Sequence, residues 1–126
     1  MSTNTKLKDA AIDFLQLTAA GRIDEAFARH AGPAFRHHNP WFASDAATIQ
    51  VGMKDNAARF PNMEFEVQRA LADGDQVAVH SRARMMAGMP SIAVVHILRF
   101  EDGKIAEMWD VAQPEPVPMA NELGMF

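Results

Sequence analysis

The apolar residues of this 126-residue chain change their spacing once, near Pro61, and that switch limits the fold more than any single motif. Before it, Leu7, Ala11, Phe14, Leu15 and Thr18 recur at helical steps and stop at Gly21, and Ile23, Ala26, Phe27 and His30 repeat the stripe as far as Gly32-Pro33. A third helix runs from Ser44, an N-cap candidate with Asp45 in the first turn, through Ile49, Met53, Ala57 and Phe60 to Pro61. After the switch the period is two. Phe65, Val67, Arg69 and Leu71 alternate with Glu64, Glu66, Gln68 and Ala70, Asp73-Gly74 marks a turn, and Val77, Val79, Ser81 and Ala83 resume the alternation. Ile92 to Phe100 is nearly continuous apolar, Asp102-Gly103 makes a second turn, and Ile105 to Gln113 alternates again. Three helices followed by antiparallel strands predict an α+β fold in a single domain over 1–126. Pro114, Pro116 and Pro118 lack ladder donors, so residues 114–126 read as an extended tail.

Composition removes other classes. Leu, Ile, Val and Phe make up 28 of the 126 residues, enough apolar surface for a packed core. With no Cys, there is no disulfide framework, thiolate nucleophile or cysteine zinc site. The formal net charge of −4, with Lys and Arg scattered singly, argues against nucleic acid as a partner. The longest uninterrupted apolar stretch, Ile92 to Val95, is far short of a membrane span, and Met1-Ser-Thr-Asn-Thr-Lys6 opens no secretory h-region. The expectation is a soluble, cytoplasmic protein. Nine Met, two Trp and eight Phe supply soft and flat side chains, which fit either an adaptable apolar pocket or a core filled by methionine.

Hairpin register decides which side chains meet, because a one-residue slip turns every side chain to the other face. In the first hairpin, a three-residue loop with Leu71 opposite Asp75 puts Val67 opposite Val79, Phe65 opposite Ser81, Glu66 opposite His80 and Glu64 opposite Arg82, and is preferred because acid meets base. In the second, the preferred loop is Glu101-Asp102-Gly103. Phe100 then faces Lys104, Arg99 gains Glu107 as a diagonal neighbour, His96 faces Met108, and Asp110 is diagonal to His96 on one face. A two-residue turn would instead send Asp110 to the face away from His96.

His96 interrupts an apolar wall of Ile92, Val94, Leu98 and Phe100. Taken alone it reads first as a core histidine satisfied by one hydrogen bond. Asp110, flanked by Met108 and Ala112, is costly to bury unless paired, and a His held by a carboxylate in an apolar cleft is what general acid/base chemistry requires. The second constellation is His37-His38-Asn39-Pro40-Trp41-Phe42, in which His38 and Asn39 could aim polar groups into a pocket walled by Trp41 and Phe42, or form only an Asn-Pro turn with an aromatic plug. His80 reads as a partner of Glu66 on the polar face. His37, His38, His80 and Asp110 have no metal-ligand spacing to recommend them, and no metal is expected.

Several segments resemble the SnoaL-like polyketide cyclase family of the nuclear transport factor 2-like superfamily, in particular its SnoaL-like aldol-condensation branch. They are Phe35-Arg-His-His-Asn-Pro40, Gly74-Asp-Gln-Val-Ala-Val-His80, Val94 to Phe100 with Glu101-Asp-Gly-Lys-Ile105, Glu107-Met-Trp-Asp-Val111 with Gln113-Pro114, and Ala120-Asn-Glu-Leu-Gly-Met-Phe126. The resemblance implies a cone in which a curved antiparallel sheet wraps three N-terminal helices around one deep apolar pocket, a homodimer through the sheet, and acid/base chemistry without metal or organic cofactor. By motif it maps the pocket acid onto Asp110 and the neighbouring-strand position onto His96. Similar sequences often carry Asp in place of His96 and His in place of Met108, so this chain departs from the family at both positions.

The reading that follows is a cofactor-independent cyclase, aldol-type enzyme or isomerase acting on a small enolisable carbonyl compound. Asp110 would be the base, His96 its partner or the acid, and His38 or Asn39 would polarise the carbonyl. Asn39, Trp41, Phe42, Met53, Met108 and Trp109 are the candidate substrate-binding residues. The alternatives are a non-catalytic module holding an apolar ligand or partner in the same pocket, and an epoxide hydrolase using the same carboxylate.

Overall fold

The computed structural model describes residues 2–126; Met1, at the head of the opening segment, lies outside them. The chain runs α1 (Thr3–Ala19), α2 (Ile23–His30), β1 (Ala31–His37), α3 (Ala46–Arg59), β2 (Glu64–Asp73), β3 (Gln76–Arg84), β4 (Ile92–Glu101) and β5 (Lys104–Pro114). Ser2 caps α1 by accepting from the Thr5 N–H. The cap of α3 is Asp45, whose carboxylate accepts from the Thr48 N–H at 2.8 Å, so the expected Ser44 cap lies one residue too early. Pro61 ends α3 as expected, just beyond its C-cap Phe60.

The five strands form one curved sheet in the order β1-β5-β4-β3-β2. It is mixed rather than wholly antiparallel, because β1 runs parallel to β5, with His37 level with Met108. Gly32 allows this approach: a Cβ there would meet the Lys104 Cβ at 3.3 Å. The helices cover the sheet's inner face, where Phe14, Ile23, Val77, Val79, Leu98 and Ile105 are almost completely buried. Phe27 packs edge-on to both Phe14 and Phe35, with ring centroids 5.2 and 5.0 Å apart, and fastens the two N-terminal helices to β1.

Both hairpins correct the expected registers in the same way. Each turn has two residues, Gly74-Asp75 and Asp102-Gly103, and the extra residue sits in a strand as a bulge, at Gln68 and at Ala106. Asp102 and Gly103 have φ of 51° and 75°, the paired left-handed geometry that suits the twist of a tight hairpin. In the first hairpin Leu71 faces Ala78, Val67 faces Ser81, Glu66 faces Arg82 and Glu64 faces Arg84, so acid still meets base with different partners. In the second, Phe100 faces Ile105, Leu98 faces Met108, Arg99 faces Glu107, and Asp110 lies directly opposite His96. The bulge restores the facing that a plain two-residue turn would have lost, since one inserted residue reverses the side-chain parity downstream.

Beyond β5 the tail turns back, and the Phe126 ring stacks on His80 with centroids 5.9 Å apart while the Arg82 guanidinium lies 5.3 Å from its centre. No helix among the described residues is long and apolar enough to cross a membrane.

Candidate active site

The core does not fill the inner face to its end. Towards the C-terminal half of α1 the helices and sheet part around a cavity of about 740 Å³. Leu15, Thr18 and Ala19 of α1, together with Met53, Asn56 and Ala57 of α3, form one wall; Phe65, Ala83, Met85, Ile92, Val94 and Ala112 line the sheet side. The spacing of Met53, Asn56 and Ala57 is the helical stripe of α3, which buries only Ile49 fully and turns the rest towards the cavity.

Two ionisable groups interrupt this apolar surface, His96 from β4 and Asp110 from β5. The ladder sets them face to face. No direct hydrogen bond or ion pair joins them among the described residues. The Asp110 carboxylate is held by Asn39, whose Nδ2 donates to Oδ1 at 3.3 Å and to Oδ2 at 3.0 Å. The other end of the Asn39 amide is occupied as well, since its Oδ1 accepts from the Trp41 N–H at 3.0 Å, which leaves only the NH₂ group to face the carboxylate. Burial pushes the His96 imidazole below its ordinary value of 6.5, opposed by the charge of Asp110. Phe65 packs across the imidazole at 6.4 Å in an edge-on arrangement.

The segment leaving β1 delivers Asn39 by alternating across the sheet edge. His37 is buried beneath it, donating from Nε2 to the Ala43 carbonyl at 2.7 Å and accepting the Asn39 N–H at Nδ1. His38 turns to the other face, and its N–H donates to the Met108 carbonyl. Its Nε2 lies 2.6 Å from Glu107 Oε2, and its ring is stacked on Trp109 at 4.9 Å. Arg99 donates to the same carboxylate at 3.1 Å, and Arg36 approaches it at 3.4 Å. The hydrogen bond from His38, reinforced by Arg99 and Arg36, pulls Glu107 down to about 2, although burial opposes the shift and its side chain is only 10% exposed.

The expected site residues therefore divide. Asp110, His96, Asn39, Trp41 and Met53 line one cavity, with Trp41 84% exposed at its mouth. His38 and Trp109 lie on the outer face instead: β5 alternates, so Trp109 beside Asp110 must point away from it, and His38 follows the buried His37 and stacks on Trp109. Met108 is corrected to the core, 2% exposed and opposite Leu98. Phe42 is corrected to a packing role: its ring lies over Gly52 of α3, where a Cβ would come within 2.3 Å of it. His80, expected against Glu66, faces Arg69 instead. Among the described residues no group of three or more His, Asp or Glu side chains is placed to hold a metal ion.

Two further polar residues reach the cavity, Thr18 from the stripe of α1 and Asn56 beside the apolar residues of α3, neither of them among the candidate site residues above. Thr18 lies within an otherwise apolar helical stripe, and that mismatch was the available signal.

Several solved structures share this architecture. AclR from Streptomyces galilaeus, titled as a candidate hydroxylase, superposes with a TM-score of 0.73 at 23% identity, covering 91% of this chain and 83% of that one. A SnoaL-like protein of unknown function from Burkholderia thailandensis gives 0.74 at 15% identity, covering 90% and 99%. A candidate polyketide cyclase from Acidithiobacillus ferrooxidans gives 0.69 at 22% identity, covering 90% and 92%. At these identities the likeness concerns the fold. No curated relative matches the sequence. The family model described as SnoaL-like domain matches residues 11–108, from the middle of α1 to the strand that carries Asp110, and the chain thus belongs to the SnoaL-like family.

Proposed function

We propose that the cavity binds a small enolisable carbonyl compound and that Asp110 removes a proton from the carbon next to the carbonyl, in a cyclase, aldol-type or isomerase reaction. The observation that carries this reading is a carboxylate held by a single amide and facing an imidazole inside an apolar cavity. The C–H electron pair moves into the carbonyl system as the proton passes to Asp110. The resulting enolate oxygen is stabilised by a hydrogen-bond donor, for which His96 is the nearest candidate. Asn39 orients the carboxylate, so polarising the carbonyl falls to His96 rather than to Asn39 or the outward His38. The test is exchange of the α-protons of a panel of enolisable ketones with deuterated water, followed by NMR. Wild-type protein should accelerate exchange for at least one member, and Asp110→Asn should remove the acceleration. Exchange that survives the substitution overturns the reading.

A binding module without chemistry is the second reading. It is favoured by the predominance of apolar side chains and the exposed Trp41 at the cavity mouth. Thermal stabilisation by apolar ligands with no proton exchange would select it.

The outer face supports a homodimer. Leu71 and Val111, 68% and 70% exposed, lie there among Glu64, Glu66, Arg82 and Arg84, so an isologous contact would bury apolar surface and let acids meet bases across the two-fold axis. Light scattering should give twice the 13.9 kDa chain mass, and Val111→Glu should return it to the single-chain value.

A further inference from the structure

Two buried polar atoms on the inner face lack partners among the described residues: Ser81 Oγ and His96 Nδ1. They are neighbours. Val79 faces His96 and Ser81 faces Val94, so Ser81 and His96 are diagonal across the β3–β4 ladder on the same face. Diagonal neighbours have Cα atoms about 7–8 Å apart, and as no direct hydrogen bond joins these two side chains, the gap is one that a single water can bridge. Ser81 is completely buried, and its other cross-strand neighbours, Val67 and Val94, offer no polar group. A third unpartnered atom, Arg84 Nε, belongs to the opposite face, where that guanidinium meets Glu64. Leaving two buried polar atoms unsatisfied side by side is costly when one water can satisfy both.

We propose that Ser81 is a positioning residue for His96: its hydroxyl donates to a water that in turn donates to Nδ1, and so holds the imidazole as the tautomer with its proton on Nε2. The inference rests on the reading of His96 as a site residue. A ring nitrogen that accepts must be unprotonated, so the proton goes to the other nitrogen, and the hydrogen bond made by one nitrogen sets the chemistry of the other. His96 then presents an N–H donor to the cavity opposite Asp110. The pair divides its work, with the carboxylate accepting the substrate proton and the imidazole donating a hydrogen bond to the oxygen without losing its own proton. The burial that disfavours the imidazolium supports the same neutral form. Serine at position 81 thus has a role that the apolar alternation of β3 does not supply.

The test needs no substrate. Two-bond proton–nitrogen correlation spectra of protein labelled with ¹⁵N-histidine report the tautomer of each imidazole, and loss of one set of peaks in His96→Gln assigns His96. The expected result is the Nε2–H tautomer with Nδ1 at a hydrogen-bonded acceptor position. In Ser81→Ala the Nδ1 resonance should move downfield to that of a free acceptor, and Ser81→Thr, which keeps the hydroxyl, should restore it. An Nδ1–H tautomer in wild-type protein overturns the proposal even if Ser81→Ala fails to fold, and so does an Nδ1 resonance that Ser81→Ala leaves unmoved. Because the readout is spectroscopic, the expected spectra in a protein that exchanges no substrate protons would count against the enzyme reading alone.

Discussion

Glu107 and Asp110 stand three residues apart on one strand and face opposite ways, and on the proposed reading the contrast between them separates structure from chemistry. Glu107 is met by Arg99, Arg36 and His38, and these partners pull it to about 2. A carboxylate with so many donors is a poor proton acceptor; its work is to tie β1, β4 and β5 together on the outer face. Asp110 has one amide donor and faces an imidazole across the ladder, in a cavity large enough for a small molecule. The lesson is that the number and kind of donors around a carboxylate say more about its role than its position in a motif.

The comparison can be broken most directly by exchanging the two acids for their amides. Asp110→Asn keeps volume and the contact with Asn39, and should lower turnover by about 10²-fold or more, the scale of one general-base contribution, while leaving the circular dichroism spectrum unchanged. Glu107→Gln should do the reverse, lowering the thermal midpoint by several degrees in a differential scanning experiment and leaving the initial rate of the remaining folded protein close to wild type. A Glu107→Gln protein that is folded but inactive would show that the outer cluster belongs to the site after all.

A smaller effect comes from the turn that sets both residues. Gly103 has φ 75°, where a Cβ is strained, although no neighbouring atom lies within 4 Å. Gly103→Ala should therefore cost about 1 kcal/mol in urea unfolding through backbone conformation alone. A much larger loss would mean that the register itself had slipped.

The finest distinction is in pH dependence. Glu107 is depressed from its ordinary 4.5 to about 2, so its stabilisation is complete above 4.5 and disappears as pH falls through about 2. His96 is also depressed, but for a base the sense is that the unfolded chain takes the proton first: stability is full above 6.5 and declines as pH drops below it. Thermal midpoints against pH should show two acid limbs. His96→Gln should flatten the upper one, and Glu107→Gln the lower. A single limb that responds to both substitutions would join the two faces into one titrating network.

Local physics made much of this legible. The shift from helical to alternating period located three helices and four of the five strands, and the interrupted walls of β4 and β5 singled out His96 and Asp110. The alternation Phe35, Arg36, His37, His38 already implied that His38 leaves the face of Phe35; placing it in the cavity set that parity aside. The register errors have a different origin. The facing of Asp110 towards His96 was inferred from parity, and parity does not distinguish an extra residue in the loop from one at Ala106.

What the sequence by itself determined is therefore whatever depends on neighbours along the chain: element type, the faces of β3 and β4, which carry no bulge, and two ionisable groups on one apolar wall. What only the tertiary structure decided is which elements meet. The docking of β1 parallel to β5, the capture of Asp110 by Asn39 and the approach of Arg36 and His38 to Glu107 all join residues far apart in the chain. Such contacts form because the curved sheet and the helices can bury their apolar faces together in only a few ways, and no short stretch of the chain carries that condition.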